Sequence, residues 1–289
     1  MSSPENNPIA PVSAEVDAAP IATRRLITAS TLIADFEALG LRAGQIVLMH
    51  SSLKALDGYV IGGAPTVLDA LLKILTPAGT LVTPAFTGDN SEPSYWQHPP
   101  VPAAWWDTIR AEWPPYRPAI SVTRQMGLIA ESFRTYPGVM RSAHPAVSFA
   151  AWGAEAKAIT ADHALDYCLG EESPLARLYA RDGYVLLLGV GHGNNTSLHL
   201  AEYRSEWPGK DQLESQSSAM LDESGARVRV AYTDLPNDDD MFPDLGTDYE
   251  VQTGAVTIGM VAGATARFMR QRPIVDYAVG WLTEHRAVR

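Results

Sequence analysis

The sequence predicts an α/β protein in which a central mixed sheet is flanked by helices, and three observations carry that expectation. An amphipathic helix leads into a strand near the start, a strand–helix–strand unit follows, and a second helix–strand pair ends in glycines further on. Strands alternating with helices bury their apolar sides as an α/β sheet.

The elements follow in order. In "ITASTLIADFEALGLRAGQIVLMHSSL" Leu32, Phe36 and Leu39 share one helical face, Ser30 or Thr31 can cap the helix, and Gly40 stops it before the strand "QIVLMHSS". The glycine-rich loop "DGYVIGGAPT" leads to the helix "TVLDALLKIL", and "PAGTLVTPAF" is a second strand after a turn. Residues 87–118 are dense in Pro and Trp, which break helices and supply rigid loop surfaces. "MGLIAESFRTYPG" is a short helix, "SPLARLYARDGYVLLLGV" a helix and strand, "RVRVAYTDL" a later strand, and "GMVAGATARFMRQRPIVDYAVGWLTEH" the closing helices. No repeat or composition break divides residues 23–289, expected as a single catalytic domain; residues 1–22, rich in Pro, Ala and polar residues, are expected to be a disordered tail.

Composition narrows the function. A formal charge of -11 without clustered Lys and Arg argues against nucleic acid and favours cationic partners. Cys168 is the single cysteine, which excludes a disulfide framework and an all-cysteine metal site and fits a reducing cytosol. The first residues do not form a secretory signal and no apolar run has the length of a membrane span, so a cytoplasmic protein is expected, as monomer or homodimer.

Several familiar motifs fail. "GVGHGNN" puts Asn194 where a dinucleotide loop needs its third glycine, and there is no Walker loop, Gly-x-Ser-x-Gly elbow or His-Glu-x-x-His helix. No metal is expected. "GHGNNTSLHLAE" places His199 in the first turn of a helix that Asn195 or Thr196 can cap, with Glu202 one turn on and on the same face. The helix dipole favours neutral imidazole there, the form that accepts a proton. A general base and a packed core histidine both fit that position.

Two acidic runs add a clue. No Lys or Arg lies between Lys73 and Arg110, where Asp89, Asn90 and Glu92 accompany four aromatic residues. None lies between Arg229 and Arg267, where Asp234, Asp240 and Asp244 belong to a longer series of acids. Together they suggest a polycation-binding cleft, with two solvated loops as the plainer alternative. In "HSSL" and "RSAHPAVSF", Arg141 can fix a phosphate, while Ser51, Ser52 and Ser142 can bond the amides of a chain-like ligand.

In order and spacing, "VLMHSSLKAL", "GGAPTVLDALL", "PAGTLVTPAFT", "MRSAHPAVSFAAWG", "SPLARLYARDGYVLLLGVGHGNNTSLHLAE" and "VGWLTEH" resemble the aminoglycoside 3-N-acetyltransferase family. The resemblance spans about residues 25–285. It implies the antibiotic N-acetyltransferase fold rather than the general acetyltransferase fold. It also implies acetyl transfer from acetyl-CoA to the 3-amino group of an aminoglycoside's 2-deoxystreptamine ring, hence antibiotic resistance in a bacterial cytoplasm. Carried over by position, His199 is the base, Asp234 its acidic partner with Asp240 or Asp244 as alternatives, and Glu202 a support of the site. Ser51, Ser52, Leu53, Arg141, Ser142 and His144 are expected near CoA. Thr196 or Asn195 are expected to donate to the oxyanion, and Asp89, Asn90, Glu92, His192, Asn195, Asp240 and Asp244 to meet the antibiotic. Cys168 lies outside every matched catalytic segment, which favours direct transfer in a ternary complex. The alternatives are transfer to a different amine, a non-catalytic CoA- or polyamine-binding protein, and a metal-dependent hydrolase using His192 and His199.

Overall fold

The computed structural model describes residues 25–287 apart from positions 98 and 237. The tail expected at 1–22 lies outside the described residues. The opening unit is β1 (Leu26–Ile27), α1 (Ala29–Leu39), β2 (Ile46–Ser51), β3 (Tyr59–Val60), α2 (Ala64–Leu75) and β4 (Thr80–Pro84). Thr28, not Ser30 or Thr31, caps α1. Its hydroxyl accepts the Thr31 N–H at 3.2 Å, while the Thr31 hydroxyl accepts the Thr28 N–H at 2.9 Å, a reciprocal capping box. Gly40 ends the helix in the left-handed region, as expected.

The middle contributes α3 (Trp106–Glu112), α4 (Gly127–Phe133), β5 (Met140–Arg141), β6 (Phe149–Gly153), α5 (Ala156–Thr160), α6 (Pro174–Ala180), β7 (Tyr184–Leu188) and α7 (Ser197–Arg204). After it come β8 (Glu214–Leu221), β9 (Arg227–Asp234), α8 (Phe242–Thr253), β10 (Thr257–Val261), β11 (Ala264–Arg270) and α9 (Gln271–Arg286). The start of the segment expected as closing helices is therefore a hairpin, and only its end is helix. Ala262 and Gly263 both have positive φ and join Val261 to Ala264, the two-residue turn whose twist suits a hairpin. Ala264, Ala266 and Phe268 then alternate into the core.

The main sheet is mixed, in the order β10-β11-β7-β2-β4-β6-β5, with β2 parallel to both β4 and β7. β8 and β9 form a separate two-stranded sheet, to which Tyr116 adds a single bridge at Met220. Both faces of the sheet are covered, which is why the run from Ile46 to Met49 in β2 is apolar throughout. Val47 and Met49 enter one core with Leu32, Phe36 and Leu71 of α1 and α2; Leu48 enters the other with Leu198, Phe242 and Ile274 of α7, α8 and α9. From β2 the chain crosses to β4 over the first face, and later reaches β7, on the opposite side of β2, after packing α6 on the second face. At such a reversal the loops after the parallel strands diverge and leave a crevice at their carboxyl ends.

Candidate active site

A pocket of about 620 Å³ occupies that crevice. Its wall comes from the ends of β2 (Met49 to Lys54), of β4 (Pro84, Phe86) and of the turn after β7 (Val190 and Gly193 to Thr196), together with Gln125, Met126, Asp239 and Phe242. Gly189 makes the last of these possible: its φ is +67°, and a Cβ there would stand 2.5 Å from the Ala55 Cβ. A second cavity of about 460 Å³, lined by Asp89, Trp96 and Arg124, shares Phe86, Gln125 and Met126 with the first. The two form one extended cleft.

His199 lines the first pocket from α7. Its Nδ1 lies 2.5 Å from Oε2 of Glu202, three residues on, where helical geometry brings the two side chains to one face. Glu202 is 1% exposed, and its other oxygen accepts from Nη2 of Arg286 at 2.6 Å and from the Asp238 N–H at 3.2 Å. An ionised carboxylate can only accept, so a bond between this imidazole and an ionised Glu202 is donated by the Nδ1–H. The Phe242 ring packs edge-on against the imidazole at 4.9 Å.

Beside it Asn195 is fully buried; its Oδ1 accepts the Ser197 N–H at 3.2 Å, and its Nδ2 has no protein partner among the described residues. Thr196 precedes the helix with helical dihedrals and makes no side-chain cap bond, leaving its hydroxyl in the pocket wall. His50, the last buried residue of β2, joins the same wall on the Leu48 face. Burial first, and then the proximity of His199, holds its imidazole down at about 3. His50 is therefore neutral at working pH.

This pocket is found in a chain whose residues 48–283 match the family model described as aminoglycoside 3-N-acetyltransferase. The chain belongs to the aminoglycoside 3-N-acetyltransferase family. It is 40% identical over 255 residues to the SPbeta prophage-derived aminoglycoside N(3')-acetyltransferase-like protein YokD of Bacillus subtilis, covering 88% of this chain and 92% of that one. It is 38% identical to aminoglycoside N(3)-acetyltransferase III of Pseudomonas aeruginosa, covering 88% and 93%. The solved structure of AAC-IIIb in binary complex with CoASH superposes with a TM-score of 0.80 at 29% identity, covering 92% of this chain and 99% of that one.

In this family member Ser51, Ser52, Leu53, Asn195, Thr196, His199 and the Glu202 pairing fall at the pocket, and the other expected residues do not. Asp234 is not the partner of His199. It ends β9 with its carboxylate bonded by the Cys168 thiol at 2.6 Å, the Tyr203 hydroxyl at 2.5 Å and the Leu235 N–H at 2.9 Å. Burial pushes its carboxyl up, partly offset by the thiol and phenol bonds. Burial and the neighbouring Asp234 also push the Cys168 thiol up, and the thiol packs as a buried donor to that carboxylate.

Arg141 does not present its guanidinium to the pocket: its nitrogens donate to Ser148 Oγ at 2.9 Å, Ser121 O at 2.6 Å and Ala85 O. Ser142 Oγ accepts the Phe149 N–H and pairs with His163, while Nδ1 of His144 accepts the N–H groups of Ala146 and Val147. All three therefore brace the β5–β6 corner, and none of them lines this pocket. Arg141→Met is expected to lower the melting temperature yet change the CoA dissociation constant less than about twofold, within the spread of distant substitutions; calorimetric titration measures it, and a tenfold loss would return Arg141 to the cofactor site.

The acidic runs are mostly paired. Burial opposes ionisation of Glu92, but hydrogen bonds from Arg110, Ser94 and Ser217 outweigh it and hold its carboxyl down at about 2. Asn90 bonds the backbone of Ala219 and Pro145. His192 is buried under α8, with Nε2 at 2.9 Å from Glu250, which also accepts from Arg267. Gly246 makes room for it, because a Cβ there would stand 2.0 Å from the imidazole Cγ. Asp240 and Asp244 are exposed outside the pocket wall, where Asp239 stands instead; Asp89 lines the second cavity, 3.3 Å from Arg124. Among the described residues no group of three His, Cys, Asp or Glu side chains is arranged to hold a metal, and no helix is long and apolar enough to cross a membrane.

Sequence reasoning passed over His50, Asp239 as a pocket residue, and Arg286. For His50 the available signal was a histidine ending an apolar strand; for Arg286, far along the chain from Glu202, there was none. Two further histidines are structural. His144 and His163 lie 5.0 Å apart, and burial holds them at about 4 and about 3. Their folded values lie below the unfolded 6.5, so above that pH they cost nothing, and as pH falls below it the unfolded chain binds protons that the folded one refuses. The urea midpoint is expected to drop between about pH 7 and about pH 5, and less steeply in His144→Gln; an equal slope in both proteins would contradict this.

Proposed function

We propose that this family member transfers an acetyl group from acetyl-CoA to the 3-amino group of the 2-deoxystreptamine ring of an aminoglycoside, giving resistance in the bacterial cytoplasm. Transfer is direct, within a ternary complex. The name of the Pseudomonas relative and the CoASH bound to AAC-IIIb support the two substrates. The observation that carries the mechanism is the buried Glu202 carboxylate 2.5 Å from Nδ1 of a pocket-lining His199.

The acceptor amine reaches the site as an ammonium, which has no lone pair for attack. His199 Nε2 takes a proton from this nitrogen at or before attack, and Glu202 stabilises the imidazolium. As the C–N bond forms, the thioester carbonyl becomes an oxyanion, for which the Thr196 hydroxyl and, once its buried Nδ2 turns into the pocket, Asn195 are donors. The proton taken before attack passes from His199 to solvent, and Nε2 takes the second proton of this nitrogen as the C–N bond forms; collapse breaks the C–S bond, CoA leaves as the thiolate, and that second proton neutralises it, so that one proton in all is released. Ser51, Ser52 and Leu53 offer the wall for the pantetheine chain, with exposed Lys54 the cation beside it. A neutral His50 adds no positive charge where a polycation must dock, and Asp239 and Asp89 supply negative charge along the cleft.

Acetyl-CoA with gentamicin- or apramycin-like compounds is expected to release thiol only when the aminoglycoside is present. Silence across a wide panel would overturn the antibiotic part. A second acceptor class deserves the same assay, because the Bacillus relative is named only as acetyltransferase-like. Activity confined to unrelated amines, with no protection of host cells, would favour it.

A further inference from the structure

We propose that Arg286 is a positioning residue of this site, acting through Glu202 to keep a proton acceptor on His199 Nε2; the proposal rests on His199 being the base. Arg286 ends α9 and is 6% exposed. A buried guanidinium is costly unless paired. Among the described residues its one carboxylate partner is Glu202, at 2.6 Å, and the same Nη2 donates to Asp238 O at 2.5 Å. Nε and Nη1 are buried without protein partners among the described residues, and the guanidinium stands 5.0 Å from the Trp207 ring. General hydrogen bonding does not account for a cation placed here. Charge compensation of Glu202 does.

The proton inventory shows what that compensation does. With Arg286 present, a neutral His199, a Glu202 carboxylate and a guanidinium sum to zero, and the two charged members of the set are both buried. Without it the pair carries one uncompensated negative charge, which a buried site relieves by binding a proton. If that proton goes to the imidazole, Nε2 is protonated. If it goes to Glu202, the carboxyl donates to Nδ1 and the ring proton must sit on Nε2. Either way the lone pair that accepts the amine proton is gone.

The other groups around the pair do not replace Arg286. From β2, His50 is neutral; Lys54 and Asp239 are exposed in the pocket wall, where water screens them. Asp238 holds Glu202 and Arg286 through its backbone N–H and carbonyl. His285, next to Arg286, bonds Trp281 O at 2.8 Å and stacks on that ring at 3.8 Å. On α7, Tyr203 is bonded to Asp234 and Arg204 to Glu171.

Two variants of the full chain test this. Arg286→Gln removes the charge while keeping an amide donor for the fold, and Arg286→Lys retains a charge. In Arg286→Gln the acidic limb of the kcat/KM profile, read by thiol release with acetyl-CoA and gentamicin, is expected to move to higher pH by about one to three pH units. The rate recovers toward native on the alkaline side, and Arg286→Lys returns most of the limb. Nitrogen NMR of 15N-histidine protein is a readout that needs no turnover: Nε2 of His199 is bare in the native protein at neutral pH and protonated in Arg286→Gln. A limb in its native position together with a bare Nε2, in a folded Arg286→Gln that binds CoA, would overturn the proposal. A native protein inert to every aminoglycoside would count against the proposed acceptor instead, and the NMR comparison would still decide the role of Arg286.

Discussion

His199→Ala is expected to lose at least about a hundredfold in kcat near neutral pH, the lower end for removal of a general base. The effect belongs to chemistry rather than to folding. His199 is a partly exposed side chain whose contacts are the Phe242 edge and one Glu202 oxygen, and Glu202 keeps Arg286 and the Asp238 N–H without it. Binding of CoA and of the aminoglycoside should persist, since neither substrate depends on the imidazole for its charge. The deficit should shrink as pH rises, because a growing fraction of the amine arrives already deprotonated. Steady-state thiol release across pH measures both features. Near-normal turnover would remove His199 from the mechanism.

Glu202→Ala should be damaging in a second way, lowering stability as well as rate. The substitution strands Arg286 as a buried cation with no counter-charge, and breaking such a pair from one side costs about 3–5 kcal/mol. His199 simultaneously loses the acceptor that fixes its tautomer. Glu202→Gln, which keeps the shape and can still accept, should lose less stability but remain slow, because an amide cannot neutralise Arg286 or stabilise an imidazolium. Urea unfolding compared with kcat for the two variants separates these contributions. A Glu202→Ala protein as stable as the native one would mean that Arg286 is compensated elsewhere.

The first half of the fold was legible because its signals are local. Leu32, Phe36 and Leu39 repeat at helical spacing, Gly40 ends the turn, and β2 is apolar on both faces because helices cover both. The β10–β11 hairpin was hidden because Ala262 to Ala266 is small and apolar, compatible with either period, and its turn depends on an alanine adopting positive φ. The site divides in the same way. His199 and Glu202 sit three residues apart on one helix, so their pairing was visible, though its importance was underrated in favour of Asp234. That aspartate is carried by β9 to Cys168 and Tyr203, a destination set by the tertiary path of a separate hairpin. The acidic runs misled for a related reason: Arg110, Arg124 and Arg267 neutralise Glu92, Asp89 and Glu250 from outside the stretches in which charges were counted.

The account turns on one contact, the lone pair of His199 Nε2 facing the acceptor nitrogen. A crystal structure of the ternary complex with CoA and an aminoglycoside measures it directly. The expected result is the 3-amino nitrogen within about 3 Å of Nε2, the reach of a proton transfer, with the CoA sulfur beside it and Glu202 still on Nδ1. An antibiotic whose amine instead approaches Asp234, or lies beyond reach of the imidazole while the CoA sulfur occupies the pocket, would contradict it.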